Sequence, residues 1–374
     1  MDGLKVMNYK LMKDIFKIYE NEVRKNTKNK KKIYSFEKHK MMYINDIYNT
    51  IYNYKTSGDY TCKYNIFLIT RPKCRIVMSL NIKDKVINHY VTRHYLIPKL
   101  EKYLDFRNVA TRTGMGTSYA RVLINKYLEK NKKYNNFYIL KMDISKYFYT
   151  IDHNILKSLL KGKLSNKEYN FICDILNSTN YSYINKSISF FRNRSDIPFD
   201  KLPFYEQNKG LPIGNMTSQF LSIFYLYKLD HKIVHDYKVK YYVRYMDDFI
   251  LIDKDKEKLK KIFLLVKNEL EKTYNLKLNL NKCHITNCKE GFVFLGYKYK
   301  IINTKTIITL EQSSKKRILK RIKEVNYLYN TGKITFESYF SSINNYLHSN
   351  KLSSRWWIKR NIYKEMDKYY EFNK

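Results

Sequence analysis

Three aspartates stand where a carboxylate needs a reason to be. Asp247 and Asp248 are adjacent in Tyr241-Tyr242-Val243-Arg244-Tyr245-Met246-Asp247-Asp248-Phe249-Ile250-Leu251-Ile252, between two apolar runs that read as strands. A strand, a tight Met-Asp-Asp turn and a second strand would hold both carboxylates at the tip of a hairpin. Charges kept against apolar surface lose solvation that a divalent cation can return. Taken alone, the hairpin reads equally as a solvated β-turn, where Asp is common. Asp143 breaks that tie, because it ends another apolar run, Phe137-Tyr138-Ile139-Leu140-Lys141-Met142-Asp143-Ile144. Two strands converging their Asp residues suit two-metal phosphoryl transfer, with ions about 3.5–4 Å apart activating a 3′-hydroxyl and stabilising the pentavalent phosphate. Ligands that are all oxygen suit Mg²⁺.

The elements that must position these residues follow from the flanking pattern. Residues 1 to 60 read as helical and basic, and the run Arg24 to Lys32 reads as a solvated face or loop. A helix over Leu123–Lys130 leads into the first Asp-bearing strand, and Ile155, Leu156, Leu159 and Leu160 mark an apolar helical face after it. Residues 179–208, with Arg194, Pro198 and Pro203, break periodicity and predict an inserted hairpin or loop. Thr217 or Ser218 can cap a helix on which Phe220, Leu221, Phe224, Tyr227 and Leu229 recur. A charged amphipathic helix over Asp253–Tyr274 completes the order strand, helix, strand pair, helix, strand of a ferredoxin-like arrangement. From Ser313 the chain is basic and helical; Trp356 and Trp357 there could stack on bases, but paired helix aromatics more often belong to a core.

These segments resemble the palm motifs of reverse transcriptases, in which an Asp-bearing strand precedes a Tyr-x-Asp-Asp hairpin. The likeness runs in order from Phe67 to Tyr297. Arg71-Pro72-Lys73-Cys74-Arg75-Ile76 resembles the fingers strand whose Lys and Arg grip the triphosphate, and Asn108 to Thr117, with Arg112, the next fingers motif. Leu278-Asn279-Leu280-Asn281-Lys282-Cys283 resembles the segment that brings a Lys to the leaving pyrophosphate. Phe294-Leu295-Gly296-Tyr297 resembles the primer grip. Lys209-Gly210-Leu211-Pro212-Ile213-Gly214-Asn215-Met216-Thr217-Ser218-Gln219 carries Ile213 and Gln219 where intron-type enzymes carry Gln and Pro. That pattern resembles the reverse transcriptases of diversity-generating retroelements, which copy a template RNA with errors at adenines.

The resemblance implies an α+β right-hand polymerase with fingers, a ferredoxin-like palm and a short helical thumb. Its parts fall at 1–135 (N-terminal extension and fingers), 136–178 (first palm segment), 179–209 (inserted loop or fingers), 210–302 (second palm segment) and 303–374 (basic thumb). Asp143, Asp247 and Asp248 are the implied catalytic residues, and with Ile144 they are the implied metal site for two Mg²⁺ ions, with Mn²⁺ as a substitute. Lys73, Arg75, Arg112, Phe148, Ile213, Gln219 and Lys282 are implied at the nucleotide, Phe148 as the ring that excludes a 2′-hydroxyl. The implied partners are an RNA template, a DNA or RNA primer and dNTPs, with a small helical accessory protein or a structured non-coding RNA. A defence-associated bacterial reverse transcriptase, including one that acts without an ordinary template, and a non-catalytic nucleic-acid-binding scaffold are the alternatives. The 77 residues after Tyr297 are too few for a thumb plus an RNase H or endonuclease domain.

The whole chain is consistent with this. Its 374 residues, 44% apolar, can bury a core, and 72 basic against 34 acidic residues leave +38, a surface that attracts polyphosphate. Lys-rich composition also follows from an AT-rich genome, which accounts for part of that excess. Five cysteines without paired spacing point to a reducing, cytoplasmic compartment. Cys283, His284 and Cys288 lack a fourth zinc ligand nearby. No apolar run approaches a membrane span, and the N-terminus has no apolar signal core.

Overall fold

The computed structural model describes residues 8–70, 73–134, 136–194, 197–198, 201–302, 305–349 and 355–370. Arg71 and Pro72 of the triphosphate motif lie outside the described residues. The chain forms two compact units, Met1–Gly116, Met142–Phe249 and Lys261–Cys283 in the first, and Thr117–Lys141, Ile250–Lys260 and His284–Lys374 in the second.

The first unit opens with helices at Tyr9–Ile18, Lys30–Glu37 and Lys40–Asn53, the first running on through a π-helical turn at Tyr19–Arg24. Asn8 and Asn29 start two of them by accepting from the backbone N–H of Leu11 and Lys32. Leu11, Ile15 and Ile18, at helical spacing, are buried, as are Ile44, Ile47 and Ile51. Strands β1 (Tyr64–Ile69) and β2 (Arg75–Leu80) pair antiparallel, from Tyr64↔Leu80 to Ile69↔Arg75. The helix Asn166–Asn177 begins with a Ser165/Glu168 capping box. On it Asp174, 4% exposed, accepts from the Tyr54 hydroxyl at 2.8 Å, the Ser57 hydroxyl at 3.0 Å and the Gly58 N–H at 2.8 Å.

Strands β3 (Tyr138–Asp143), β4 (Tyr241–Tyr245), β5 (Asp248–Asp253) and β6 (His284–Asn287) form one sheet in the order β4-β5-β3-β6. β3 and β6 run antiparallel, from Tyr138↔Asn287 to Lys141↔His284. Helix His153–Leu160 follows β3 and helix Lys256–Tyr274 follows β5, so the expected ferredoxin-like element order is present. The architecture is mixed helix and sheet, as the motifs imply.

Two local expectations need correction. The segment 179–208 contains a helix, Ser182–Asn193, which buries Ile184 and Ile188 one turn apart; its Asn and Ser content hid that spacing. The helix after the Gly210 motif spans Met216–Tyr225 and is capped at Asn215, while Thr217 and Ser218 are buried inside it. Thr217 instead donates its hydroxyl to Asn88 Oδ1 at 2.7 Å.

In the second unit β7 (Phe292–Phe294), β8 (Tyr297–Ile302) and β9 (Lys305–Leu310) make an antiparallel sheet. Helices Gln312–Asn330, Phe336–Ser349 and Arg355–Tyr370 close on a core of Leu310, Ile322, Val325, Tyr339, Ile343, Ile358 and Ile362. Trp357 packs on this core as expected, but Trp356 does not: it is 67% exposed, with the Arg360 guanidinium 5.3 Å from its ring. Among the described residues no helix is long and apolar enough to cross a membrane.

Candidate active site

β3 delivers Asp143 at its end, and the β4–β5 turn delivers Asp247. The two meet through the backbone, since the Ile144 N–H donates to the Asp247 carbonyl at 3.1 Å. A second segment lies alongside. Asn279 N–H donates to the Asp143 carbonyl at 2.7 Å, Ser145 N–H to the Lys277 carbonyl at 2.8 Å, and Ile144 bridges Leu278. This pairing sets Lys282 over Asp143, with its ammonium 2.8 and 3.0 Å from the two carboxylate oxygens.

The electrostatics follow from that crowding. Asp143 is 5% exposed. Burial pushes the Asp247 carboxyl above its ordinary range and the Asp143 charge adds to this, while Lys282 and Lys73 pull it back. Burial works against the Lys282 ammonium, but its bonds to Asp143 and the charges of Asp248 and Asp247 hold its pKa above the usual lysine value. Lys73 and Lys282 therefore share one field with the three aspartates.

The turn itself is held from beneath. Met246 sits at φ +57°, a region unfavourable for a side chain of its size. The Arg244 guanidinium donates to the Met246 carbonyl at 3.0 Å and to the Ile223 carbonyl at 2.8 Å, and the Ser222 hydroxyl meets the Met246 sulfur at 3.2 Å. Arg244 is paired with Asp230 at 2.6 Å with both side chains fully buried, and the Tyr242 hydroxyl donates to the same carboxylate at 2.6 Å. Burial opposes the arginine's charge most strongly, yet Asp230 overcomes this and raises its pKa. Sequence reasoning missed Asp230 and Arg244. The available signal was an arginine two residues from Tyr242 on an apolar strand, where a charge demands a buried partner.

The other expected nucleotide residues divide into two groups. Lys73 lies in the β1–β2 turn and Arg75 begins β2, both exposed. β2 is tied to the Gly210 motif by the Met78 N–H, which donates to the Ile213 carbonyl at 3.1 Å. The half-buried Phe148 accepts at its carbonyl from the Leu211 N–H at 2.6 Å, so the Gly210 motif joins Phe148 to β2. Gly210, at φ +86°, has no room for a side chain: a Cβ would lie 2.6 Å from the Tyr205 ring. Gln219 is exposed on the following helix. Arg112 departs from expectation. Its guanidinium is committed to Glu101 at 3.1 Å and to the carbonyls of Asp105 and Asn108, which makes it a brace for its own loop. Phe294, Leu295, Gly296 and Tyr297 belong to the second unit, where Leu295 (φ +49°) and Gly296 (φ +81°) form the two-residue turn between β7 and β8.

Among the described residues no three of His, Cys, Asp and Glu are grouped closely enough to hold a metal ion outright, and this includes Cys283, His284 and Cys288. Asp143 and Asp247 nevertheless fit one. They are neighbouring hard-oxygen donors: the Asp143 charge raises the pKa of the Asp247 carboxyl, a backbone hydrogen bond and lysine charge offset this, and Lys282 places a cation on Asp143. The Ile144 side chain is a hydrocarbon without a donor atom, so only its backbone oxygen could take part.

A catalytic-type carboxylate pair on this sheet defines a nucleic-acid polymerase fold, and comparison with known proteins supplies the family. Residues 63–299 match the model of the family described as reverse transcriptase (RNA-dependent DNA polymerase). The chain belongs to that family. It is 26% identical to the COX1/OXI3 intron 2 protein of Saccharomyces cerevisiae over 211 residues, 45% of this chain and 24% of that protein. It is 24% identical to protein YkfC of Escherichia coli over 193 residues, 43% of this chain and 46% of the relative. The chain thus spans less than half of either relative. Among solved structures, apo telomerase from Candida tropicalis aligns at 14% identity with a TM-score of 0.48, covering 85% of this chain and 60% of that one.

Proposed function

We propose that this chain copies an RNA template into DNA from a DNA or RNA primer, using dNTPs. The meeting of Asp143 and Asp247 carries the reading. Those two residues, with Asp248 and the backbone oxygen of Ile144, would hold divalent ions, and the all-oxygen donor set favours Mg²⁺, with Mn²⁺ as substitute. Ions there supply Lewis acidity toward the phosphate and lower the pKa of the attacking hydroxyl.

The chain's own residues do the rest. Lys73 and Arg75 offer fixed positive charge to the triphosphate. Lys282 is placed to donate a proton to the leaving pyrophosphate once it has left Asp143. Phe148 fills the space a 2′-hydroxyl would need, and Ile213 offers the nascent base pair shape without hydrogen bonds. The Ile-Gly-x-x-x-Ser-Gln pattern supports reading the chain as the diversity-generating type, error-prone and served by a small helical accessory protein or a structured RNA. Residues 1–135 and 179–209 act as fingers, 136–178 and 210–302 as palm, and 303–374 as thumb. The five cysteines, none of them in a disulfide, accord with a cytoplasmic setting.

Primer extension on an RNA template with Mg²⁺ tests the reading. Wild type should incorporate dNTPs, and Asp143→Asn or Asp247→Asn should abolish incorporation without loss of fold. Near-wild-type extension by either variant would overturn the assignment.

A further inference from the structure

The first unit also contains a cavity of about 190 Å³ that the polymerase reading leaves unused. Glu22, Leu80, Lys85, His89, Asn215 and Met216 are among its walls. The polar groups fall into two sets. Most are satisfied. Glu22 is met by His89 Nδ1 at 2.7 Å and by Arg93 at 3.1 Å, Asn26 donates to the Glu22 carbonyl at 2.7 Å, and Thr27 donates to the Val23 carbonyl at 2.7 Å. Asn88, also in the wall, donates to the Asp84 carbonyl and accepts from Thr217.

Three groups are not. Asn215 is 4% exposed, yet its Nδ2 has no acceptor among the described residues. A buried amide donor left so costs about 1–3 kcal/mol. The Lys85 side chain is partly buried, and among the described residues it forms no salt bridge. Burial, and then the charge of Lys32, lower its pKa, the signature of a cation that lacks a counter-charge. Asn215 also caps the ten-residue helix Met216–Tyr225 without a side-chain bond to its first turn, and both Asn215 and Met216 line the cavity. The Asn215 amide and the start of the helix offer donors, and Lys85 offers a positive charge. The one carboxylate in the wall, Glu22, is already countered by Arg93 and His89.

We propose that this cavity is an anion site that takes a phosphate group, using the Lys85 ammonium, the Asn215 amide and the start of helix Met216–Tyr225. A phosphate accepts in several directions at once and gains from both a fixed cation and a helix N-terminus. Its source is either the backbone of a nucleic-acid strand or a free phosphate. The inference is independent of catalysis, because binding is measured without dNTPs.

The experiment compares the full chain with Lys85→Met, Asn215→Asp and, as a charge control outside the cavity, Lys272→Met. Fluorescence anisotropy with a labelled single-stranded RNA is recorded across a salt series. Lys85→Met should weaken binding about tenfold and reduce the slope of log K against log salt by about 0.7, with Lys272→Met changing affinity less. Asn215→Asp, which puts a carboxylate into the cavity, should weaken binding at least as much. In a parallel arm, inorganic phosphate should raise the melting temperature of wild type and not of Lys85→Met. Loss in the RNA arm assigns the site to a strand, and loss in the phosphate arm alone assigns it to free phosphate. Folded variants that behave as wild type in both arms overturn the proposal. Should Lys85→Met fail to fold, Asn215→Asp decides by the same two readouts.

Discussion

Arg244 and Asp230 form an ion pair at 2.6 Å in which neither side chain has any exposure, directly beneath the turn that carries Asp247. Two desolvated charges of this kind are tolerable only together. Asp230→Asn should therefore cost about 3–5 kcal/mol of stability, because it strands a guanidinium that cannot deprotonate. Denaturant unfolding checks this. Arg244→Lys keeps the charge but loses the fork that reaches Met246 and Ile223, so a folded protein with slowed incorporation is expected. Wild-type stability in Asp230→Asn would show that the pair is not the support of the hairpin.

Phe148 is half-buried, with its carbonyl bonded to Leu211. Removing the ring in Phe148→Ala opens volume while leaving that backbone bond in place. Ribonucleotide incorporation relative to dNTP incorporation should rise about tenfold or more, as relief of a steric clash worth about 1–3 kcal/mol predicts. Competition between rNTPs and dNTPs in primer extension measures it. Unchanged discrimination would place the sugar check elsewhere.

Ile213 meets β2 through its carbonyl and offers an aliphatic side chain. A glutamine there could donate and accept hydrogen bonds at the base pair. Ile213→Gln should lower misincorporation about two- to tenfold, the worth of one hydrogen bond of about 0.5–1.5 kcal/mol. Sequencing the cDNA made by both proteins on one RNA template gives the error spectra. An accurate wild type would remove the diversity-generating assignment.

His153 is fully buried, with Nε2 at 2.7 Å from the Gly210 carbonyl. Burial lowers its pKa below the ordinary 6.5, and the bond to Gly210 only partly offsets this. In the unfolded chain it takes up a proton as pH falls through that value, while the folded chain resists, so stability is lost from about pH 6.5 downward until the folded pKa is reached. His153→Gln keeps a donor for Gly210 without the charge. Its melting temperature should vary less between about pH 7 and pH 5 than that of wild type, as differential scanning fluorimetry can record.

What could be read from the sequence was whatever depends on local pattern. Asp143 and Asp247 were legible because apolar strands ending in carboxylates are unusual at any single position, and the order of the strands and helices around them was legible with them. Arg112 was not, since an arginine's sequence neighbours say nothing about Glu101 reaching it across the loop. Asp230 carries no local signal in the sequence, and only tertiary packing makes it the partner of Arg244. Ser182–Asn193 was hidden for a different reason: Asn and Ser recur along it and mask the one-turn spacing of Ile184 and Ile188, so the helix depends on packing.

Asp174 gathers Tyr54, Ser57, Gly58 and Tyr60 from 114 to 120 residues earlier in the chain. It works as a non-covalent staple that closes a very long loop. The entropy of closure defers such contacts until the intervening chain is organised. Contacts made that late govern how fast a segment is released more than how fast it forms. Asp174 is thus one of several ties that set how long the N-terminal helices stay on the rest of the first unit, beside the pairs Glu22–His89 and Asp46–Lys83.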